Sequence, residues 1–167
     1  MDNKISEWEH RKNPKAHLGE AKNFLRANFE KGSLCPCCGQ FVKLYKRKIT
    51  SSMAYGLIIL VNSGNKGYFH IEDYLKRQNC DSAIRGDIVK LKYFGLIEPR
   101  VETREDGSDR NGYYKVTEKA ISFVNRKIKV PKYFNIFNNK LMGYSEEQVD
   151  IADALNNKFE YEKLMNK

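Results

Sequence analysis

KYFGLIEPRVETREDGSDRNGYYKVTEKAISFV, Lys92 to Val124, changes its apolar periodicity twice. Up to Phe94 the apolar residues continue a pattern of threes and fours that begins at Ile84, the spacing of one helix face. Gly95 is the residue type that stops a helix in a left-handed conformation. From Leu96 to Thr103 the stretch is rich enough in Ile and Val for a strand, and REDGSDRNG is a turn-forming loop. Tyr113 to Val116 is then a second strand, so the two make a hairpin. Thr117 opens T-E-K-A ahead of Ile121, Phe123 and Val124, which predicts a capped helix.

Working toward the N-terminus, Asp81 is an N-cap for a helix from Ser82 to Phe94, and Asn79-Cys80-Asp81 reads as a turn. Ile71 to Arg77 is a brief helix holding Ile71, Tyr74 and Leu75, and Tyr68 to His70 is extended. Before the SGNKG loop, Thr50 to Asn62 reads as a helix capped by Thr50 or Ser51, with Met53, Leu57, Leu60 and Val61 on its buried side.

Helix, short strand, helix, turn, helix, hairpin, helix is the order of a winged helix-turn-helix. From about residue 50 to 126 the chain resembles that family and, within it, the MarR-like regulators. The residues that carry the resemblance are the helix-end Gly95-Leu96-Ile97, the wing pair Asp109-Arg110 and the strand-to-helix passage ending at Thr117. Asn111 stands where such proteins often carry a second wing arginine, and Ala120 replaces the usual glycine after the threonine. The resemblance implies a DNA-binding regulator that pairs as a homodimer through terminal helices.

At about 100° per residue, Ile84, Ile88 and Leu91 fall on one helix face, with Ala83 and Phe94 at its edge. The opposite face carries Ser82, Arg85, Gly86, Val89 and Tyr93, with Lys90 beside it. In a helix-turn-helix such a face enters the major groove, where Arg85 would read guanine and Val89 would touch a thymine methyl. The alternative is a solvated face with incidental cations. The wing, residues 102 to 112, holds Arg104 and Arg110 against Glu102, Glu105, Asp106 and Asp109. A minor-groove wing gains from positive charge, so this loop either aims Arg110 at a phosphate by way of Asp109 or faces protein or solvent.

Cations are denser outside the motif. Lys43, Lys46, Arg47 and Lys48 precede the first helix, and Arg126, Lys127, Lys129 and Lys132 follow the hairpin helix. They would grip the phosphate backbone, or serve as solubilising linkers. Phe41 to Lys48 is an extended or helical connector. The tyrosines at 45 and 55 fit a core better than a base-stacking platform.

In the N-terminal part, a short helix is expected over Ile5 to Arg11. Asn13-Pro14 then starts a helix that runs to about Phe29 with Leu18, Ala21, Leu25 and Phe29 in one stripe. Gly32 is its stop. CPCCGQ follows, residues 35 to 40, with three cysteines in four positions of a chain that has only 4. Cys35 and Cys38 have zinc-knuckle spacing, and amides in so tight a turn can donate to thiolate sulfur. One structural Zn2+ would need two further ligands from His10, His17, His70, Cys80 or Cys37, with His17 or His10 the first choices. The thiols would otherwise be unliganded, structural or exposed; a thioredoxin-like redox motif would need a βαβ context that the flanking residues do not supply.

At the C-terminal end, Tyr133 to Phe137 and Lys140 to Tyr144 flank Asn138-Asn139, which predicts a two-residue hairpin. Ser145-Glu146-Glu147-Gln148 reads as a capping box for a helix bearing Val149, Ala152 and Leu155. The expected architecture is therefore α+β in three parts. Residues 1–48 hold a helix, the cysteine knuckle and a basic connector, 49–130 a winged helix-turn-helix core, and 131–167 a ββα extension.

Composition narrows the function class. With 167 residues, 41% apolar and 31% charged, the chain is sized for one ordinary domain with extensions. No apolar run approaches the length that spans a bilayer, and MDNKISEWEHRKN lacks the apolar core of a secretory signal, so a cytoplasmic protein with reduced thiols and no membrane partner is expected. A net charge of +9 favours anionic partners. There is no phosphate-binding glycine loop, no H-E-x-x-H and no nucleophile elbow, and the carboxylates at 146–147 and 150–153 suit a helix N-terminus. The expectation is a non-enzyme: a small bacterial or phage transcriptional regulator that binds DNA rather than RNA. The competing class is a protein-interaction module or inhibitor of a host protein machine on the same scaffold.

Overall fold

The computed structural model describes residues 17–101 and 112–166. The expected helix over residues 5–11 and the wing with Arg104 and Arg110 lie outside them, as does His10. The chain is α+β, built from short helices and small sheets. It divides into two compact units, one of Met1–Lys46 with Asn135–Met142, the other of Arg47–Phe134 with Gly143–Lys167.

In the first unit, α1 (Leu18–Asn28) leads into a hairpin of β1 (Ser33–Leu34) and β2 (Phe41–Val42), paired antiparallel with Leu34 opposite Phe41. The described helix begins at Leu18 because His17 is extended (φ −64°, ψ 139°); the Asn13-Pro14 start signal lies outside the described residues. Gly32 has φ +89°, the left-handed stop expected of it. Ala21 is buried, whereas Leu18 is 64% exposed. Within the same unit the Phe29 and Phe137 rings lie 4.7 Å apart.

β3 (Tyr45–Lys48), β8 (Tyr133–Phe137) and β9 (Lys140–Tyr144) form a three-stranded sheet in the order β3-β8-β9. The basic connector is thus extended throughout its described secondary structure. The Asn138-Asn139 turn is as expected, with φ of 46° and 58°.

The second unit is organised around α2 (Ser51–Asn62), which buries Met53, Ala54, Leu57, Ile58 and Leu60. A helix so apolar around most of its circumference must be covered on several sides. It is packed by α3 (Ile71–Arg77), α4 (Ser82–Asp87), a 3₁₀ helix (Ile88–Phe94), α5 (Glu118–Val124), α6 (Ile151–Leu155) and α7 (Tyr161–Met165). Thr50 caps α2 by accepting the Met53 amide proton, as its position suggested. The last segment closes on this core: Asn62 donates to the Leu164 carbonyl, Tyr161 to that of Val124, and the Tyr55 ring lies 4.5 Å from Phe159.

A three-stranded antiparallel sheet completes the unit, in the order β4 (Phe69–His70), β6 (Tyr113–Val116), β5 (Ile97–Pro99). β5 is shorter than the Leu96 to Thr103 expectation. Glu98 sits directly opposite Lys115 in the ladder, with the two side chains 3.1 Å apart. Gly112, at φ +75°, lies under the His70 ring, where an added Cβ would come within 2.3 Å of Nε2.

Two expectations change here. The helix expected over Ser82 to Phe94 remains α-helical only to Asp87 and then tightens into 3₁₀ turns. Ile88, Leu91 and Phe94 are all fully buried and stand three residues apart, a spacing that three residues per turn keeps in one row but an α-helix lets drift. The second change concerns the capping box. Ser145 to Gln148 caps nothing; the Ser145 hydroxyl accepts the Tyr133 amide proton and donates to the Glu147 carbonyl, while β10 (Gln148–Val149) pairs with β7 (Val130–Pro131). The box lies five residues later, where Asp150 and Asp153 exchange backbone hydrogen bonds at the start of α6.

Candidate nucleic-acid interface

The outer side of α4 and the 3₁₀ helix is built by what its inner side buries. Ile84, Ile88, Leu91 and Phe94 face the core, and Asp81 caps the start by accepting the Ile84 amide proton at 2.8 Å. Gly95, at φ +70°, ends it, and Lys119 donates to the Phe94 carbonyl at 2.7 Å. Ser82 and Gly86 are exposed, and space around Gly86 is open. Val89 is also exposed, an apolar side chain on a surface whose neighbours are polar.

Arg85 is half-buried. Its Nε donates to the Asp81 carbonyl at 3.4 Å, and its guanidinium stands 3.9 Å from the Glu72 carboxylate on α3. Lys90 is paired with Asp87, one 3₁₀ turn before it. Both cations expected on the outer face therefore already have an acidic neighbour, each at a partly exposed position where exchange for a phosphate or a base edge is inexpensive.

Tyr93 is placed differently from the helical-wheel expectation. In 3₁₀ geometry Val89 aligns with Lys92, and Lys90 with Tyr93. The Tyr93 ring stacks on Phe134 at 4.8 Å, and its carbonyl accepts the Tyr144 hydroxyl at 2.7 Å. Tyr93 thus fastens the end of the helix to β8 and β9, and Lys92 joins the outer row in its stead. The signal for Lys92 was available in the three-residue spacing of Ile88, Leu91 and Phe94, which favours the tighter helix.

Of the flanking cations, Lys46, Arg47 and Lys48 are exposed on β3. Arg126 pairs with Asp150 at 3.0 Å and lies over the Tyr161 ring, and Lys132 pairs with Glu147 at 2.6 Å. These two therefore act in the packing of the C-terminal segment, while Lys127 and Lys129 remain exposed. Burial pushes the Asp150 carboxyl up, but the Asp153 amide and the Arg126 guanidinium together hold it below its ordinary value. At the sheet, the hydrogen bond from Lys115, aided by the Tyr68 hydroxyl, lowers the Glu98 carboxyl and raises the Lys115 ammonium.

The sulfur residues fall into two settings. Cys35 begins the turn between β1 and β2, where its amide donates to the Gln40 carbonyl and its carbonyl accepts the Gly39 amide proton, both at 2.8 Å. Cys37 and Cys38 are exposed in that turn. Cys80 is buried in the second unit, and burial raises its thiol. Among the described residues no three His, Cys, Asp or Glu side chains converge as a metal site, His17 included. His70 is engaged as the cap of α3, its Nδ1 accepting the Asp73 amide proton.

No helix among the described residues is long and apolar enough to cross a membrane. Compared with known protein families, curated proteins and solved structures, the chain matches none.

Proposed function

We propose that the chain is a winged-helix protein that binds double-stranded DNA, in the manner of a small bacterial or phage transcriptional regulator. The observation that carries the reading is the helix Ser82–Phe94: its inner row is fully buried, and its outer side presents Ser82, Arg85, Gly86 and Val89 on a chain of net charge +9. The order of α2, β4, α3, α4 with its 3₁₀ continuation, β5 and β6, with β6 central in the sheet, supports the winged-helix assignment. An α-helix fits the major groove of B-DNA, about 12 Å wide, but not the deep, narrow major groove of A-form RNA, which favours DNA. Arg85 would read a base edge, Val89 a thymine methyl, and Lys90, Lys92 and the β3 cations would hold phosphates. The cytoplasm is the compartment this reading requires, and it assigns binding without a reaction.

Fluorescence anisotropy with a labelled duplex tests it. Binding at low salt should weaken linearly in log K against log salt concentration, in proportion to the phosphates neutralised. Absence of binding to duplex, single-stranded DNA and RNA at low salt would overturn the reading.

The pairing of Arg85 with Glu72 and of Lys90 with Asp87 favours a second reading, a protein-interaction module on the same scaffold. A stoichiometric protein partner retained by Arg85→Ala with Lys90→Ala, and lost on changes in the β8-β9 hairpin, would select it.

A further inference from the structure

We propose that the outer face of the sheet β4-β6-β5 is a stacking platform for single-stranded nucleic acid, on which Tyr68 and Tyr113 each take one base. The face is laid out by the ladder. Along β6, Tyr114 is buried, and Tyr113 and Lys115 on either side of it share the opposite, open side, as alternation in a strand requires. Lys115 stands opposite Glu98 on β5. The Tyr68 ring reaches across from just before β4: its hydroxyl donates to Glu98 at 3.0 Å, and Lys115 Nζ lies 5.2 Å from its centre. Two positions earlier on β6, Tyr113 stands opposite His70, whose ring meets it edge-on at 5.5 Å, and Arg100 donates its amide to the Tyr113 carbonyl at 2.9 Å. The rows Tyr68-Lys115-Glu98 and His70-Tyr113-Arg100 therefore lie side by side on one face.

Both rings are held without being covered. Tyr68 is 39% and Tyr113 40% exposed, so each presents ring surface to solvent while its neighbours fix its orientation. As diagonal neighbours on adjacent strands the two stand about 7–8 Å apart. Successive bases of an extended strand can span that gap. Bases in a duplex follow one another at about 3.4 Å along each strand and cover one another's faces, so stacking on a side chain requires an unpaired, splayed strand.

Charge and composition select this occupant. The Arg100 guanidinium lies 6.0 Å from the centre of the Tyr113 ring and Lys115 lies beside Tyr68, so each ring carries a cation of its own for the adjoining phosphate. Exposed contacts of this kind are weak enough for a base to take the ring while the cation turns to the backbone. Of the carboxylates, Glu98 is engaged by Lys115 and the Tyr68 hydroxyl, and Asp73 is paired with His70 at 3.0 Å. The core of a protein interface is depleted of Lys and Glu, whereas here Lys115 and Glu98 lie among the tyrosines and neither row contains an aliphatic side chain. The platform uses none of the residues of the helix Ser82–Phe94 and does not rest on the duplex reading.

The test titrates the full chain at low salt into labelled oligothymidylate about ten nucleotides long, and into an abasic strand of equal length, with anisotropy as the readout. The two strands carry the same phosphates, so any difference in affinity belongs to the bases. Wild type is expected to prefer the base-bearing strand. Tyr68→Ala and Tyr113→Ala should each lower affinity for that strand about 5- to 150-fold and leave the abasic strand unaffected, while Tyr68→Phe and Tyr113→Phe retain the preference. Circular dichroism checks that the variants are folded. Oligouridylate is run in parallel, and a tyrosine-dependent preference on either polymer supports the platform while telling the sugars apart. Duplex affinity should be unchanged in all four variants, and Arg85→Ala should leave the preference for bases intact, so this proposal and the duplex reading fail separately. Equal affinity of wild type for the two strands, a preference that survives both alanine substitutions in folded protein, or no binding of either strand would each overturn the proposal.

Discussion

The Ile88 side chain occupies the space where a side chain on Gly56 would begin: a Cβ built there lies 2.8 Å from Ile88 Cδ1 and 3.0 Å from Ile84 Cγ2. Gly56 is therefore the crossing point at which α2 approaches the DNA-facing helix of our proposal, and both partners are held in the core.

Substitution at this glycine sets two effects against each other. Replacing a mid-helix glycine by alanine gains about 0.5–1 kcal/mol, while overpacking costs about 1–3 kcal/mol. The Ile88 δ-methyl can rotate away, but the Ile84 γ-methyl is fixed by its branch at Cβ. Gly56→Ala is expected within about 1 kcal/mol of wild type, whereas Gly56→Val loses the propensity gain and should be destabilised by about 2 kcal/mol. Urea unfolding decides it, through a lower midpoint at unchanged slope.

Thr117 joins the end of one helix to the start of another. Its hydroxyl accepts the Ala120 amide proton at 3.2 Å and lies 2.8 Å from the Gly95 carbonyl, to which it donates. Thr117→Ala removes both bonds at once and is expected to lower stability by about 1–2 kcal/mol, with most of the loss restored in Thr117→Ser. A Thr117→Ala chain that unfolds at the wild-type urea midpoint would contradict this role.

How far the fold was legible follows from the range of the interactions. Caps at Thr50, Asp81 and Thr117, the Gly95 stop and the Asn138-Asn139 turn are decided within four residues, and each stands where its residue type and spacing put it. The capping box stands at Asp150 rather than Ser145, although Ser145-x-x-Gln148 and Asp150-x-x-Asp153 both fit the local pattern. The choice is made by Val149 pairing with Val130, nineteen positions earlier, which commits residues 148–149 to a strand. Likewise the buried row at 84, 88 and 91 was evident, but not the removal of Tyr93 to Phe134 or the approach of Glu72 to Arg85, since both depend on partners from other elements.

Acid should act at the start of α6. The Asp150 carboxyl is held below its unfolded value, near 3.9, so its contribution is complete above that pH and is lost as pH falls through the lower folded value. Asp150→Asn keeps an N-cap acceptor but removes the charge opposite Arg126. The variant is expected to be less stable at neutral pH and to show a shallower decline in urea midpoint between about pH 5 and 2. Parallel profiles for the two proteins would place the acid sensitivity elsewhere.

Glu72 offers a sharper test of the proposed interface than removal of a cation. It stands 3.9 Å from the Arg85 guanidinium and is itself 62% exposed, so under the proposed role it would compete with DNA for Arg85 without being needed by the core. An exposed pair of this kind is worth about 0.2–1 kcal/mol, and releasing it should tighten DNA binding about 1.4- to 5-fold at constant salt. Glu72→Gln is therefore expected to bind duplex more tightly than wild type, and Arg85→Ala more weakly, with about one unit taken off the salt slope if Arg85 neutralises a phosphate. In the double variant Glu72→Gln, Arg85→Ala, the gain from Glu72→Gln should disappear, because the freed guanidinium is what produces it. If the gain persists there, Glu72 acts only through the general field of the face; if Glu72→Gln leaves affinity unchanged while Arg85→Ala lowers it, Arg85 reaches DNA without leaving its acidic neighbour.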